Sequence, residues 1–184
     1  MRKNLGSMAG IFPMPVLMIG TYDKDGNIDV MNAAWGMMAD MNKVILNLTE
    51  THKTVKNIKE TGYFTVGIAD KDHVKEADYV GIVSGNNTFD KFQKSGLTAV
   101  KSEFVNAPII NEFPITMECK LIEFSDYGVV GEIVNLSVDD KILDENGKIE
   151  PSKIHAIIYD TFNHGYYEVG NKVGQAFHDG QKLK

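Results

Sequence analysis

Residues 47–59 read Asn-Leu-Thr-Glu-Thr-His-Lys-Thr-Val-Lys-Asn-Ile-Lys, with Lys53, Lys56 and Lys59 opposed only by Glu50. This is a local positive excess in a chain whose formal net charge is −6. Val55, Ile58 and the following Gly62 have the spacing of a buried helix face and its stop, which makes Thr51 the expected N-cap. Thr51, His52, Lys53 and Thr54 then fall on the first turn, where backbone N–H groups lack partners and the helix dipole is positive. Two hydroxyls and an ammonium at such a place suit a phosphate-sized anion. An ordinary capped surface helix would carry the same residues.

Two further runs could address a ligand. In Ser84-Gly85-Asn86-Asn87-Thr88-Phe89-Asp90-Lys91-Phe92, loop amides can donate to a carbonyl, and Lys91 offers a charge beside Asp90. The bland reading is a solvated loop with a surface lysine. Met31-Asn32-Ala33-Ala34-Trp35-Gly36 ends a strand with small side chains, against which a flat ring can lie and meet backbone polar groups. The alternative is a strand end with a half-buried Trp35. Met14, Met18, Met31, Met37, Met38 and Met41 serve either as core filling or as an adaptable apolar wall beside such a ring.

The usual catalytic machinery is missing. There is no G-x-G-x-x-G and no P-loop. Gly81-Ile82-Val83-Ser84-Gly85 does not have the spacing of a nucleophile elbow. Cys119 falls on the apolar side of an alternating strand and reads as an inert buried thiol. The five histidines, at 52, 73, 155, 164 and 178, make no metal-binding pattern. Asp23-Lys24-Asp25-Gly26-Asn27 begins like a calcium loop, but Ala34 stands where the bidentate Glu is needed. No catalytic side chain and no metal ligand is assigned. If the protein does chemistry, a cofactor is expected to carry it.

Short strands must position these runs. Val16–Tyr22 and Ile28–Asn32 flank an Asp-Gly hairpin turn. Val44–Thr49, Tyr63–Ala69, Ile115–Phe124 and Val130–Val138 follow, and His155–Asp160 with Tyr166–Val169 forms a last hairpin. In Ile115–Phe124, Ile115, Met117, Cys119 and Leu121 alternate with Thr116, Glu118 and Lys120, which predicts one apolar face. Helices are predicted at 74–82, after Thr88 as cap and before Gly96, and near Asn171–Phe177. Strands dominate without regular strand–helix alternation, so an antiparallel barrel is the expected closure.

The chain has 184 residues with 24% charged, and its length suits one domain burying roughly 70% of its unfolded surface. The acidic balance excludes a general nucleic-acid binder. One cysteine can form no internal disulfide, so a reducing, cytoplasmic setting is expected. Arg2 and Lys3 precede an apolar stretch from Met8 to Ile19 that resembles a signal peptide. Pro13 and Pro15 interrupt it, and it is too short to span a bilayer. We read it as an irregular lead-in to the first strand, with no membrane association.

In order along the chain, Pro13-x-Pro15-Val16, Gly20-Thr21-Tyr22, Asn32-Ala33-Ala34-Trp35-Gly36, His52-Lys53-Thr54 with Asn57-Ile58, and Glu76 to Gly85 stand beside Asp90-Lys91-Phe92, Ala107-Pro108, Pro114-x-x-Met117-Glu118-Cys119, Gly131-Glu132-Ile133 and Tyr159-Asp160. This set resembles the flavin reductase-like, FMN-binding split-barrel family of the flavoredoxin type, from about residue 10 to 177. The resemblance implies a six-stranded antiparallel Greek-key split barrel with short flanking helices, a single domain over residues 1–184, and a homodimer with FMN at or near its interface. It implies hydride from NAD(P)H accepted at the flavin N5 and passed to free flavin, a ferric chelate or a protein partner. A carrier, sensor or electron-transfer flavoprotein without turnover is the alternative. Lys53 and Thr54 match the phosphate corner. Met31, Asn32, Ala33, Ala34 and Trp35, with Asn47, Leu48, Thr49 and His52, match the segments along the ring and ribityl chain. Ser84, Gly85 and Lys91 match the closing loop. Asp126-Tyr127 occupies a region where many relatives carry His, and Met37-Met38 stands where relatives often have cysteines. His164 is the remaining candidate for an axial ligand should the barrel hold haem instead.

Overall fold

The computed structural model describes residues 1–183. After an exposed segment, Met14–Pro15 (β1) leads into Leu17–Tyr22 (β2) and Ile28–Ala33 (β3), then Gly36–Asp40 (β4) and Lys43–Leu46 (β5). Helix Lys53–Thr61 (α1) precedes Tyr63–Ile68 (β6), and helices Val74–Ile82 (α2) and Lys91–Ser95 (α3) follow. The remainder is Ala99–Lys101 (β7), Pro108–Ile110 (β8), Ile115–Ser125 (β9), Gly128–Val138 (β10), Ile157–Tyr159 (β11) and Tyr166–Glu168 (β12). No helix among the described residues is long and apolar enough to cross a membrane.

The main sheet is antiparallel, in the order β3-β2-β6-β9-β10-β5-β4. It has seven strands because β4, which the sequence did not suggest, adds an edge. Met-Met-Ala-Asp lacks β-branched residues, and its first residue is Gly36. That glycine is required: a Cβ there would lie 2.6 Å from the Leu17 side chain and 2.7 Å from that of Leu46. The small sheets β1-β11-β12 and β7-β8 complete the β structure.

Two cores take opposite faces of the sheet at β2, where Val16 and Met18 point one way and Leu17 and Ile19 the other. Ile19, Val44, Leu46, Ile58, Phe64, Val66 and Cys119 pack into one, with α1 covering it. Val16, Met18, Val30, Ala77, Val80 and Phe113 form the other beneath α2. The alternation predicted for β9 holds, with Ile115 and Cys119 buried and Met117 and Leu121 packed against the same core as Cys119, but Thr116 and Glu118 on the opposite face are buried too. Glu118 is satisfied there by the Ser102 hydroxyl and by the Asn135 amide at 2.6 Å.

Several boundaries move. The third predicted strand ends at Leu46, so Asn47, Leu48 and Thr49 lie in a loop. His52, not Thr51, is the N-cap of α1, without a side-chain cap, while Gly62 closes it at φ 77°. Asp90 replaces Thr88 at the start of α3. No helix forms at 171–177: Val173 and Phe177 are fully exposed, so no packed face stabilises a short helix interrupted by Gly174.

Candidate functional site

The end of β3 and the turn after it make the floor of a cavity of 540 Å3. Met31, Asn32, Ala33, Ala34 and Trp35 line it, with Asn47, Leu48, Thr49 and His52 from the loop before α1. The Asn47 N–H donates to the Trp35 carbonyl at 2.8 Å, which clips the two segments together. Asp78, Gly81 and Ile82 of α2 form a third side, and Tyr159 and Tyr166 of the last hairpin a fourth. The Asn32 amide donates to the Ala77 carbonyl at 2.8 Å and lies flat along α2. Gly81 permits this, since a Cβ there would come within 2.4 Å of the Asn32 side chain.

A second cavity, of 220 Å3, shares Met31, His52, Gly81 and Ile82 with the first. Lys53 and Thr54 at the start of α1, Ser84 and Gly85 of the loop after α2, and Lys91 of α3 line it. The loop is tied to α1 by Asn86, which accepts from Lys56 Nζ at 2.8 Å and donates to the Thr51 carbonyl at 3.0 Å. Of the residues singled out from the sequence as ligand contacts, all but Thr51 line one of two adjoining cavities; Thr51 is exposed outside both, so the first turn of α1 offers one hydroxyl to them, that of Thr54. The lining residues arrive from five parts of the chain.

The electrostatics differ from the sequence expectation. Lys59 pairs with Glu50 and Lys56 with Asn86, outside both cavities. Lys53 is not a free cation, because its Nζ lies 3.3 Å from Asp23 Oδ2. Lys91 is no surface residue. It is 4% exposed, and its Nζ is 3.5 Å from Asp29 Oδ1. Burial lowers the Lys91 pKa, against the opposing pull of Asp29. Asp29 also accepts a 2.5 Å hydrogen bond from the Thr54 hydroxyl.

Sequence reasoning missed Asp29, Asp78, Gly81, Ile82, Tyr159 and Tyr166. Tyr166 donates to Asp78 Oδ1 at 2.9 Å, and burial together with this carboxylate pushes the phenol up to about 12. Trp35 is 53% exposed at the cavity mouth, half-buried as the alternative reading of its strand end expects, with its ring 6.5 Å from that of Tyr159. Of the N-terminal methionines only Met31 lines a cavity. Met14 and Met18 are core, and Met37, Met38 and Met41 are exposed. Tyr127 sits exposed at the β9–β10 turn and His164 on the last hairpin, its Nδ1 2.5 Å from the Tyr159 hydroxyl; neither lines a cavity. Among the described residues no group of three or more His, Cys, Asp or Glu is placed to hold a metal ion.

Comparison with known proteins places this geometry. Flavoredoxin of Desulfovibrio vulgaris (Miyazaki F) is 36% identical, and the match covers 98% of this chain and 100% of that one at a TM-score of 0.94. A flavoredoxin from Methanosarcina acetivorans is 26% identical with full coverage of both chains and a TM-score of 0.90. A split-barrel domain structure from Shewanella frigidimarina, 23% identical and covering 89% of this chain and 85% of that one, superposes with a TM-score of 0.77 and shares the fold. The mainly β, half-barrel sheet is therefore the split-barrel fold. Residues 8–163 match the model of the flavin reductase-like domain, and the chain belongs to that family.

Proposed function

We propose that the protein is an FMN-binding oxidoreductase of one domain, accepting hydride from NAD(P)H and passing electrons to free flavin, a ferric chelate or a protein partner. The observation that carries this reading is the union of the two cavities. A 540 Å3 space with a small-residue floor and aromatic sides adjoins a 220 Å3 space lined by Lys53 at the start of α1 and Lys91 at the start of α3. The larger volume is ordinary for a small-molecule site, roughly 300–1,000 Å3.

The residues fit a flavin mononucleotide in kind. Ala33 and Ala34 leave room for a flat ring against the backbone, and Gly81 lets the Asn32 amide lie back against α2 beside it. The N–H groups of Leu48 and Thr49 have no acceptor within the described residues and can address a polar ring edge. Lys53 and the first-turn amides of α1 would meet the phosphate. When bound, FMN supplies the hydride-accepting chemistry. The chain would hold and orient it through the residues that line the two cavities.

The test is a visible spectrum after FMN addition, followed by NADH and NADPH oxidation with free flavin or ferric chelate. A colourless protein without FMN affinity overturns the proposal. A second reading, an electron-transfer flavoprotein, is favoured by the 36% and 26% identical neighbours, both flavoredoxins. It predicts FMN binding without turnover above background. Exposed Met37 and Met38 on edge strand β4, beside exposed Trp35, support the homodimer; sedimentation tests it.

A further inference from the structure

Asp29 lies on β3, in the wall of the smaller cavity. It is 4% exposed, as is Lys91, and Thr54 is 1% exposed. One carboxylate oxygen accepts a hydrogen bond from the Thr54 hydroxyl at 2.5 Å, and the other faces Lys91 Nζ at 3.5 Å. Gly85 presses against the same carboxylate, since a Cβ on Gly85 would lie 2.2 Å from Oδ1. Helix α1 has no acidic residue in its first turn and no side-chain cap. Asp29 is thus a buried carboxylate held against the first turn of α1 through Thr54, where the helix dipole is positive.

We propose that Asp29 is an internal stand-in for phosphate and thereby limits how strongly this cavity prefers phosphorylated over unphosphorylated flavin. The inference rests on the FMN reading above. A threonine hydroxyl has one proton. Given to Asp29, it is not available to a phosphate oxygen. The Lys91 charge is likewise answered in place, and an entering phosphate meets a buried like charge. Lys53, paired at the cavity rim, remains the cation that can turn to the ligand.

The experiment is titration of FMN and riboflavin, followed by flavin fluorescence, on the wild-type protein, Asp29→Asn, Thr54→Val and the double variant. Asp29→Asn removes the buried negative charge that an entering phosphate meets and leaves only a neutral acceptor to compete for Thr54, so it should raise the preference for FMN over riboflavin on the order of 10-fold or more. Thr54→Val should leave that preference unchanged in the native background and lower it by about 10-fold in the Asp29→Asn background. An Asp29→Asn protein whose preference for FMN is unchanged or lowered overturns the inference. Should loss of the Lys91 partner prevent folding, Thr54→Val alone decides. An unchanged preference supports the stand-in, and a loss of about 10-fold or more overturns it. Wild-type protein binding neither flavin refutes the FMN reading and this inference together, whereas wild-type binding with the wrong ratios refutes the inference alone.

Discussion

Lys53 Nζ reaches back 3.3 Å to Asp23 Oδ2, tying the start of α1 to the first hairpin turn. Asp23 is held for this contact by Asn27, which donates from both its backbone and its side chain. Burial raises the Asp23 pKa, but these hydrogen bonds outweigh it and leave the carboxyl below its ordinary value. The Lys53 side chain is 30% exposed, so the pair is a rim contact. Such pairs contribute about 0–1 kcal/mol, little enough for the ammonium to be shared with an incoming phosphate. Lys53→Ala should therefore weaken FMN by about 1.5–3 kcal/mol, or about 10–150-fold. Riboflavin affinity and the melting temperature should hardly move. Equal loss for both flavins would place Lys53 away from the phosphate.

Gly81 tests the ring site independently of charge. Helix propensity alone would make Gly81→Ala stabilising by about 1 kcal/mol. Space decides otherwise, because the added Cβ falls 2.4–2.6 Å from three atoms of the Asn32 side chain. Asn32 would have to leave its 2.8 Å bond to the Ala77 carbonyl, and overpacking of this kind costs about 1–3 kcal/mol. FMN and riboflavin should both lose affinity, with their ratio unchanged. Titration of the two flavins checks this, and undiminished affinity would remove Asn32 from the ring contact.

These two residues also show what the sequence could reveal. Lys53 was legible because its helix start is written locally, in the Val55, Ile58 and Gly62 spacing. The small-residue floor at 31–36 was equally local. Asp29 was not, since on an alternating strand it reads as one more outward polar residue, and its partners Thr54 and Lys91 lie 25 and 62 positions away. Tyr159 and Tyr166 were seen as a hairpin, but nothing in that segment says which part of the sheet it folds over. Their packing against Trp35 and Asp78 is decided by β1 pairing with β11. Strand β4 escaped because its stability comes from pairing with β5 and from the close approach at Gly36, not from β propensity. The strand β9 itself was plain, yet its second buried face depends on Ser102 and Asn135 reaching Glu118.

Cys119, at the centre of β9, is fully buried, and desolvation with the neighbouring Glu118 charge pushes its thiol up to about 12. Thiolate is the reactive form, and almost none exists at neutral pH in the native protein. Iodoacetamide at pH 8 should therefore label Cys119 only in denaturant, as read by intact mass. Rapid labelling of native protein would contradict the packing of β9 against β6 and β10.

Alkaline stability follows from the same physics. The folded pKa of Cys119 is raised from 9.0 to about 12, and that of Tyr166 from 10.0 to about 12. In both cases the native state keeps a proton that the unfolded chain releases. Stability is fully present below the unfolded value and is lost as pH rises toward the folded one. The loss should begin near pH 9 with the thiol and steepen above pH 10 as the phenol joins it. Tyr22, raised by burial alone, acts in the same direction. Tyr166→Phe removes the phenol that donates to Asp78 while keeping the ring in the cavity wall. Its urea midpoint, followed from pH 8 to 12, should show the early decline and a shallower slope above pH 10. Curves that run parallel to wild type over the upper half of that range would mean that Tyr166 ionises as freely in the fold as in the unfolded chain, and the Tyr166–Asp78 side of the cavity would then be open to solvent.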